Sequence, residues 1–245
     1  MTTKIVPGSL VAVRTPGDVA AEASARAARV LREAVTERGA ATVALSGGFT
    51  PREAYTRLAA EAIDWMKVQV FLVDDRAVPP DRERSNYRMI KETLVDPARI
   101  PAANVHRMAS ESSDLEAAAR AYEDLIREHV RLRREDVPSL DLVILGIGDD
   151  GHTASLFPGQ PEISVTDTLV CVVPAKGDRE ARLTMTVPML ENARSALVLA
   201  VGSPKHEPLE RVWRVAGTVE ETPARIMRSF RGSVTWIIDR QAGGM

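Results

Sequence analysis

The sequence is poor in several features that would point to a particular class of protein. It has one cysteine, Cys171, so no disulfide can form within the chain, and its setting in "LVCVVP" predicts an unreactive thiol in a buried strand. The net charge of −2 gives no reason to expect nucleic acid or an anionic membrane as partner. No apolar run approaches ~18 residues, and the amino-terminal segment lacks a long apolar stretch and an obvious cleavage site. We therefore expect a cytoplasmic protein.

Several catalytic signatures are also missing from the chain. There is no phosphate-binding Walker A loop and no G-x-S-x-G nucleophile elbow. His106, His129 and His206 show no metal-ligand spacing with one another or with Cys171, so we expect no metal. His129 falls on a long helical segment, where a solvated side chain is expected.

Short aliphatic runs alternate with longer segments of helical periodicity. The aliphatic runs predict strands at residues 10–14, 41–45, 68–73, 140–145, 169–173, 196–201 and 234–238. The periodic segments predict helices at residues 18–38, 51–62, 87–94, 115–135, 187–192 and 205–215. This alternation, with strands apolar on both faces, favours an α/β fold with a mainly parallel, Rossmann-like sheet covered by helices on both sides.

Ligands of such sheets bind beyond the carboxyl ends of the strands. Four loops of unusual composition follow predicted strands there: "SGGFTP", "DDRAVPPDRERSNY", "GIGDDGHTASLFP" and "GSPK". The chemistry of the protein is expected in these loops.

The loop "SGGFTP" joins a predicted strand to a predicted helix. Gly47 and Gly48 let a ligand approach the backbone, and Thr50 is expected to cap the helix, with Pro51 in its first turn. A helix amino terminus attracts anions, and the hydroxyls of Ser46 and Thr50 add donors. A phosphate cradle and a simple capped turn both fit this loop.

The loop "DDRAVPPDRERSNY" begins with adjacent carboxylates, Asp74 and Asp75, followed by Arg76. Two neighbouring acids at a strand end repel one another, so a purely structural role for both is hard to justify. Ser85 is a plausible helix cap just before Asn86, whereas residues 82–84 are expected to be a solvated charge run.

The loop "GIGDDGHTASLFP" contains G-x-G-x-x-G after a strand, which is the dinucleotide-binding pattern. Three features argue against that interpretation. Asp149 and Asp150 would oppose a pyrophosphate, the loop comes late in the chain, and the acid expected about 20 residues on, Asp167, precedes the next strand rather than ending it. We therefore expect no dinucleotide.

Asp150 and His152 lie two residues apart on the same glycine-rich turn. The carboxylate could orient the imidazole and stabilise its charged form, while the imidazole takes a proton from water and returns it to a leaving oxygen. The pair predicts a hydrolytic site.

Taken together, the loops resemble the 6-phosphogluconolactonase family, the sugar lactonases of the pentose phosphate pathway. The resemblance rests on "LSGGFTP", "DDRAVP" with "SNY", "GIGDDGHTASLFP", "RLTMTVPMLENAR" and "GSPK", in that order. It implies one domain over residues 1–245, a three-layer α/β/α sandwich, a phosphosugar lactone as substrate, no organic cofactor and no metal. A monomer or weak homodimer is expected.

The resemblance also implies roles for individual residues. His152 would be the general base, Asp150 would orient it, and Asp74 would line the site near the sugar. The phosphate and sugar would be held by Ser46, Gly47, Gly48, Thr50 and Asn86, with positive charge from Arg76, Arg182 and Lys205. Lys205 stands near a predicted helix start, where a cation is unfavourable and a bound anion would explain it.

The chain departs from the family pattern at three places. Asp75 stands where glutamate is usual, Asp149 stands where proline is common, and "AKGDREARLT" is charged where many members carry a proline-rich segment. Two other functions remain open. A glucosamine-6-phosphate deaminase would use Asp74 as base and release ammonia, whereas a phosphosugar-binding regulatory module would need no histidine base and would require a further domain.

Overall fold

A computed structural model of the protein describes residues 4–134 and 137–245. Within them the strands are β1 (Ser9–Val13), β2 (Ala41–Leu45), β3 (Val68–Leu72), β4 (Asp74–Arg76), β5 (Val105–His106), β6 (Leu132–Arg134), β7 (Val137–Pro138), β8 (Leu142–Gly146), β9 (Val170–Val173), β10 (Arg182–Met185), β11 (Ser195–Ala200) and β12 (Ser233–Asp239). The α-helices are α1 (Pro16–Arg38), α2 (Phe49–Leu58), α3 (Asn86–Ile90), α4 (Leu115–His129), α5 (Val187–Glu191) and α6 (His206–Trp213).

The core of the fold is a seven-stranded sheet in the order β1-β12-β11-β8-β2-β3-β5, flanked by helices. Every neighbouring pair in it is parallel. The central strands are almost wholly buried, which explains why their sequences are continuous aliphatic runs rather than alternating patterns. The predicted α/β fold with a mainly parallel sheet is confirmed.

The longest helix, α1, begins and ends where local chemistry dictates. Thr15 and Asp18 form a reciprocal capping box at its start, and Pro16 occupies its first position. Gly39 ends the helix in a left-handed conformation, and its N–H donates to the carbonyl of Val35. The helix predicted over residues 18–38 is therefore correct to within two residues.

Two predicted elements differ in the structure, and the strands β4 and β10 were not predicted. The strand predicted at residues 169–173 is β9, which lies outside the parallel sheet and pairs antiparallel with β10, itself antiparallel to β4. Sequence periodicity missed β4 and β10 because both are short and carry charged residues. The helix predicted over residues 115–135 ends at His129, since the next residue, Val130, is extended; residues 135 and 136 lie outside the described part.

Two side chains singled out from the sequence occupy particular environments. Cys171 is half-buried on β9, and burial raises the pKa of its thiol to about 12, in line with the expected lack of reactivity. His129 is not simply solvated as expected, because its ring lies 4.4 Å from that of His106. Burial, with a further contribution from His129, lowers the pKa of His106 to about 4.

Asp141, just before β8, forms a buried clamp at the amino end of the sheet. One carboxylate oxygen accepts from the Thr42 N–H at 2.8 Å and from the Thr42 hydroxyl at 3.1 Å. The other lies 3.0 Å from Arg38 Nη2 and 3.4 Å from Arg194 Nε. The carboxylate thus connects β8 to β2 and holds Arg38 and Arg194 at the amino end of the sheet.

The structure assigns a structural role to Asp75, whose role the sequence left open. Its carboxylate accepts from the N–H groups of Arg76, Asn86 and Tyr87 and from the Ser85 hydroxyl, at 2.7–3.2 Å. Ser85 in turn caps α3 by accepting from the Arg88 N–H, as predicted. The carboxylate therefore fixes the connection from β4 to α3.

Within the described residues, no helix is both long and apolar enough to cross a membrane.

The burial of Asp75 makes the stability of the fold depend on pH. Burial raises the pKa of this carboxyl to about 6 from its usual 3.8, although its hydrogen bonds oppose the change. The folded state then holds this proton more tightly than the unfolded chain, so its stabilising contribution is complete below about pH 4 and is lost as the pH rises through about 6. We expect the free energy of unfolding of the wild type, relative to Asp75→Asn, to fall by roughly 2 kcal/mol between pH 4 and pH 7. Urea unfolding at each pH measures this difference, and a flat difference would contradict it.

Candidate active site

A cleft with a volume of about 390 Å³ lies beyond the carboxyl ends of β2, β8 and β11, beside β4. The strand order explains the position, because loops that follow neighbouring parallel strands emerge at the same edge of the sheet. The predicted site residues that line it are Ser46, Gly47, Gly48, Thr50, Asp74, Arg76, Asn86, His152 and Lys205. Asp150 and Arg182 do not line the cleft, but each lies beside a residue that does, His152 and Asp74 respectively.

The loop after β2 brings the amino end of α2 to the cleft. Gly48, with φ of 105°, precedes the helix, which begins at Phe49, so the prediction that Thr50 caps it is wrong. Thr50 instead lies in the first turn, where backbone N–H groups have no partner within the helix and the helix dipole favours an anion. The Ser46 hydroxyl is buried without a hydrogen-bond partner in the described part of the chain. The loop thus presents donors to the cleft.

Tyr55 and Asn86 fix the course of this loop. The buried Tyr55 hydroxyl donates to the carbonyl of Ser46 at 2.8 Å. Asn86 lies so close to Gly47 that a Cβ at that position would overlap the Asn86 amide. A glycine is therefore required at position 47, because the Asn86 side chain approaches it too closely for a Cβ. Asn86 follows β3 and β4 in the chain.

Asp74 is buried at the floor of the cleft and is held from two sides. Its Oδ2 accepts from the Ser155 hydroxyl at 2.5 Å, and its Oδ1 lies 3.3 Å from Asn86 Nδ2. Asn86 Nδ2 also donates to the Asp74 carbonyl at 2.9 Å. Arg182, on β10, reaches Ser155 Oγ at 3.3 Å and lies 4.0 Å from Asp74 Oδ2. The positive charge of Arg182 thus acts on the site through Asp74 rather than from the cleft wall.

Arg76 reaches the cleft from β4. Its Nη1 donates to the carbonyl of Arg84 at 2.6 Å, which fixes the guanidinium, while its Nε is buried without a partner among the described residues. Residues 82–84 are exposed, as expected for a solvated charge run, and Arg84 pairs with Glu180 at 2.7 Å. Arg76 therefore carries a positioned charge at the edge of the cleft.

His152 and Asp150 form a hydrogen-bonded pair on the turn after β8. Asp150 Oδ1 lies 2.6 Å from His152 Nδ1 and accepts from the His152 N–H at 2.9 Å. Burial alone would raise the pKa of Asp150, but the hydrogen bonds from His152 outweigh it and lower that pKa to about 2. Asp150 is therefore an anion throughout the neutral range.

Gly148 in "GIGDDG" makes room for this pair. A Cβ at Gly148 would overlap the His152 imidazole and come 2.7 Å from Asp150 Oδ1. The turn is closed by the Gly148 N–H donating to the His152 carbonyl at 2.8 Å and the Gly151 N–H donating to the Gly148 carbonyl at 2.9 Å. The middle glycine of the sequence that resembles a dinucleotide pattern, Gly148, thus makes room for an imidazole and its carboxylate.

Lys205 lies at the end of a short 3-10 turn, Ser203–Lys205, that leads into α6. Its Nζ is 2.7 Å from Asp149 Oδ1. A carboxylate of the chain therefore pairs with this cation, so its place near a helix start does not by itself require a bound anion.

Four residues near the site were not predicted to contribute to it. Ser155 lies within "DGHTASLFP", and its contact with Asp74, 81 residues earlier, has no local sequence signal. Phe157 packs its ring 4.6 Å from that of His152 and is covered by the Arg179 guanidinium at 3.8 Å. Phe49 stands at the mouth of the cleft with 90% of its surface exposed. Asp149 lines the cleft and pairs with Lys205.

In the described ranges 4–134 and 137–245, no group of three or more histidine, cysteine, aspartate or glutamate side chains is arranged to hold a metal ion.

Comparison with known proteins supports the resemblance inferred from the loops. The family model described as glucosamine-6-phosphate isomerases/6-phosphogluconolactonase matches residues 14–236. A 6-phosphogluconolactonase from Synechocystis sp. is 39% identical over 213 residues, which cover 87% of this chain and 88% of that protein. One from Rhizobium meliloti is 36% identical over 203 residues, covering 80% and 83%.

The fold gives the same result. The solved structure of the 6-phosphogluconolactonase from Trypanosoma brucei superposes with a TM-score of 0.87 at 26% identity, covering 97% of this chain and 98% of that one. A monomeric glucosamine-6-phosphate deaminase shares the fold with a TM-score of 0.79 at 21% identity. The family predicted from the sequence is confirmed, and the chain belongs to the family of glucosamine-6-phosphate isomerases and 6-phosphogluconolactonases.

Proposed function

We propose that this protein hydrolyses 6-phospho-D-glucono-1,5-lactone to 6-phosphogluconate, the lactonase step of the oxidative pentose phosphate pathway, with His152 as general base. The relatives named 6-phosphogluconolactonase support the substrate. The observation that carries the mechanism is the 2.6 Å contact between Asp150 Oδ1 and His152 Nδ1 at the wall of the cleft.

That contact selects which imidazole nitrogen does the chemistry. Because Asp150 is an acceptor, it favours the tautomer in which Nδ1–H donates to it. Nε2 then carries the lone pair and is the nitrogen available to a water molecule in the cleft. The negative charge of Asp150 also stabilises the imidazolium once a proton has been taken.

The reaction follows as an ester hydrolysis. His152 removes a proton from water as the water oxygen bonds to the lactone carbonyl carbon, C1, and the carbonyl oxygen becomes an oxyanion. The tetrahedral intermediate collapses, the bond from C1 to the ring oxygen breaks, and the imidazolium returns its proton to that oxygen. Arg76 and loop N–H groups are the nearby donors for the oxyanion. A lactone needs no covalent nucleophile, so no further group is required.

The phosphate is assigned to the other end of the cleft. The first turn of α2 supplies N–H groups and a positive dipole end, the hydroxyls of Ser46 and Thr50 supply donors, and Lys205 supplies charge. Asp74, held by Ser155 and Asn86, lies between the two ends and is placed to accept from sugar hydroxyls.

The single domain, the state of monomer or weak homodimer, the absence of a cofactor and the cytoplasmic location stay predictions from the sequence.

The substrate is tested by a coupled assay. With the lactone generated in place from glucose 6-phosphate, we expect 6-phosphogluconate to form well above the spontaneous background. Two or more charge-assisted hydrogen bonds to phosphate should favour this lactone over unphosphorylated gluconolactone by roughly 10²–10⁴-fold in kcat/KM. Ammonia released from glucosamine 6-phosphate would instead identify a deaminase, and phosphosugar binding without turnover of either would identify a regulatory module.

The general base is tested by His152→Gln. The glutamine amide cannot take the proton, so we expect kcat to fall by about 10²–10⁴-fold, while the affinity for the product 6-phosphogluconate stays within about twofold. His129→Gln, at the end of α4 and outside the cleft, is the matched control and should keep wild-type kinetics. A His152→Gln variant that retains the wild-type kcat would exclude this residue as the base.

A further inference from the structure

The cleft contains an ion pair that the hydrolysis itself does not use. Asp149, on the turn after β8, and Lys205, on the turn after β11, meet across the cleft with 2.7 Å between Oδ1 and Nζ. The two partners differ in exposure: 20% of the Lys205 side chain is exposed, against 68% of the Asp149 side chain. The ammonium is thus enclosed by the cleft, whereas the carboxylate reaches it from the solvent side.

The turn that carries Asp149 does not depend on this ion pair. The Asp149 carbonyl accepts from Arg211 Nη2 at 3.1 Å, and Arg211 is itself held by Glu207. The backbone bonds that close the turn around Gly148 involve His152 and Gly151 and leave the Asp149 side chain free. The carboxylate can therefore leave Lys205 while the His152 turn keeps its shape.

We propose that Asp149 is an internal counter-ion that occupies Lys205 in the empty site and is displaced by the phosphate dianion of the substrate, so that it sets the affinity and the charge selectivity of the cleft. This inference rests on the proposed function. A singly charged ligand would only replace one carboxylate by an equivalent charge, so it gains little from the exchange. A dianion interacts more strongly with Lys205 than one carboxylate does, so it gains from the exchange.

The charges of the cleft give this competition a direction. Its ionised lining side chains are Asp74 and Asp149 against Arg76 and Lys205, and Asp74 is occupied by Ser155 and Asn86. Of the two acids, Asp149 is the exposed one. Neutralising it leaves the four side chains with a net charge of +1, which favours the phosphate. Asp149 therefore weakens the binding of the substrate, and it also disfavours singly charged anions, which gain little by displacing it from Lys205.

The test is Asp149→Asn, which keeps the shape of the side chain and removes its charge. An exposed ion pair contributes a fraction of a kcal/mol up to about one, so we expect KM for the phosphorylated lactone to fall about two- to fivefold with kcat within twofold. The KM for unphosphorylated gluconolactone should not change. At about 0.5 M NaCl the difference from the wild type should shrink, because salt screens exposed charges.

Two comparisons separate displacement from a general charge effect. Asp96→Asn removes the same charge from an exposed lysine–aspartate pair outside the cleft, where Lys91 Nζ lies 2.6 Å from Asp96 Oδ2, and should leave KM unchanged. In a Lys205→Met background, Asp149→Asn should lower KM much less than in the wild type. An equal effect in both backgrounds, or an unchanged KM in the single variant, would overturn the proposal.

Binding of 6-phosphogluconate by titration calorimetry keeps this inference separate from the proposed function. If the wild type does not hydrolyse the lactone, the proposed function fails. The counter-ion role still stands if Asp149→Asn binds 6-phosphogluconate more tightly than the wild type while gluconate affinity is unchanged. Equal 6-phosphogluconate affinities in the two proteins would refute it, whatever the activity.

Discussion

The contact between Asp150 and His152 is the interaction on which the site depends. It requires the turn after β8 to bring a side chain back over its own backbone, and only the missing Cβ of Gly148 leaves room for the ring. The position of this turn is set by β8, a central strand of the parallel sheet that is buried on both faces. The strand order thus places the turn, Gly148 leaves room for the ring, and Asp150 orients it. None of these three constraints depends on the identity of the substrate.

The second constraint is the buried network around Asp74. A carboxylate with 4% of its surface exposed is costly unless its oxygens accept hydrogen bonds, and Ser155 in the loop after β8 and Asn86 at the start of α3 provide them. Arg182 lies behind Ser155 and adds a charge without entering the cleft. The three groups hold one acceptor in a fixed position in the cleft, which His152 and the loop after β2 also line.

The sequence predicted the features that depend on neighbouring residues, but it did not predict contacts between residues far apart in the chain. The aliphatic runs gave the central strands, and the loops that follow them gave the cleft, since the ends of parallel strands must share an edge. The pairing of β4 with β10, the Asp74–Ser155 contact and the Asp149–Lys205 pair join segments 56 or more residues apart, and no periodicity reports them. The prediction for Thr50 was wrong, and the role of Asp75 stayed open, because local backbone geometry decides both. The backbone conformation at Gly48 and the N–H groups near Ser85 decided roles that composition left open.

The clamp formed by Asp141 has a consequence for engineering the protein. Asp141 lies immediately before β8, whereas the turn that carries His152 follows the same strand. The clamp and the candidate site are therefore at opposite ends of β8. Substitutions that strengthen the Asp141 end, around Arg38 and Arg194, can raise thermal tolerance without touching the residues that line the cleft. The amino end of the sheet is therefore the place to begin a stabilised variant.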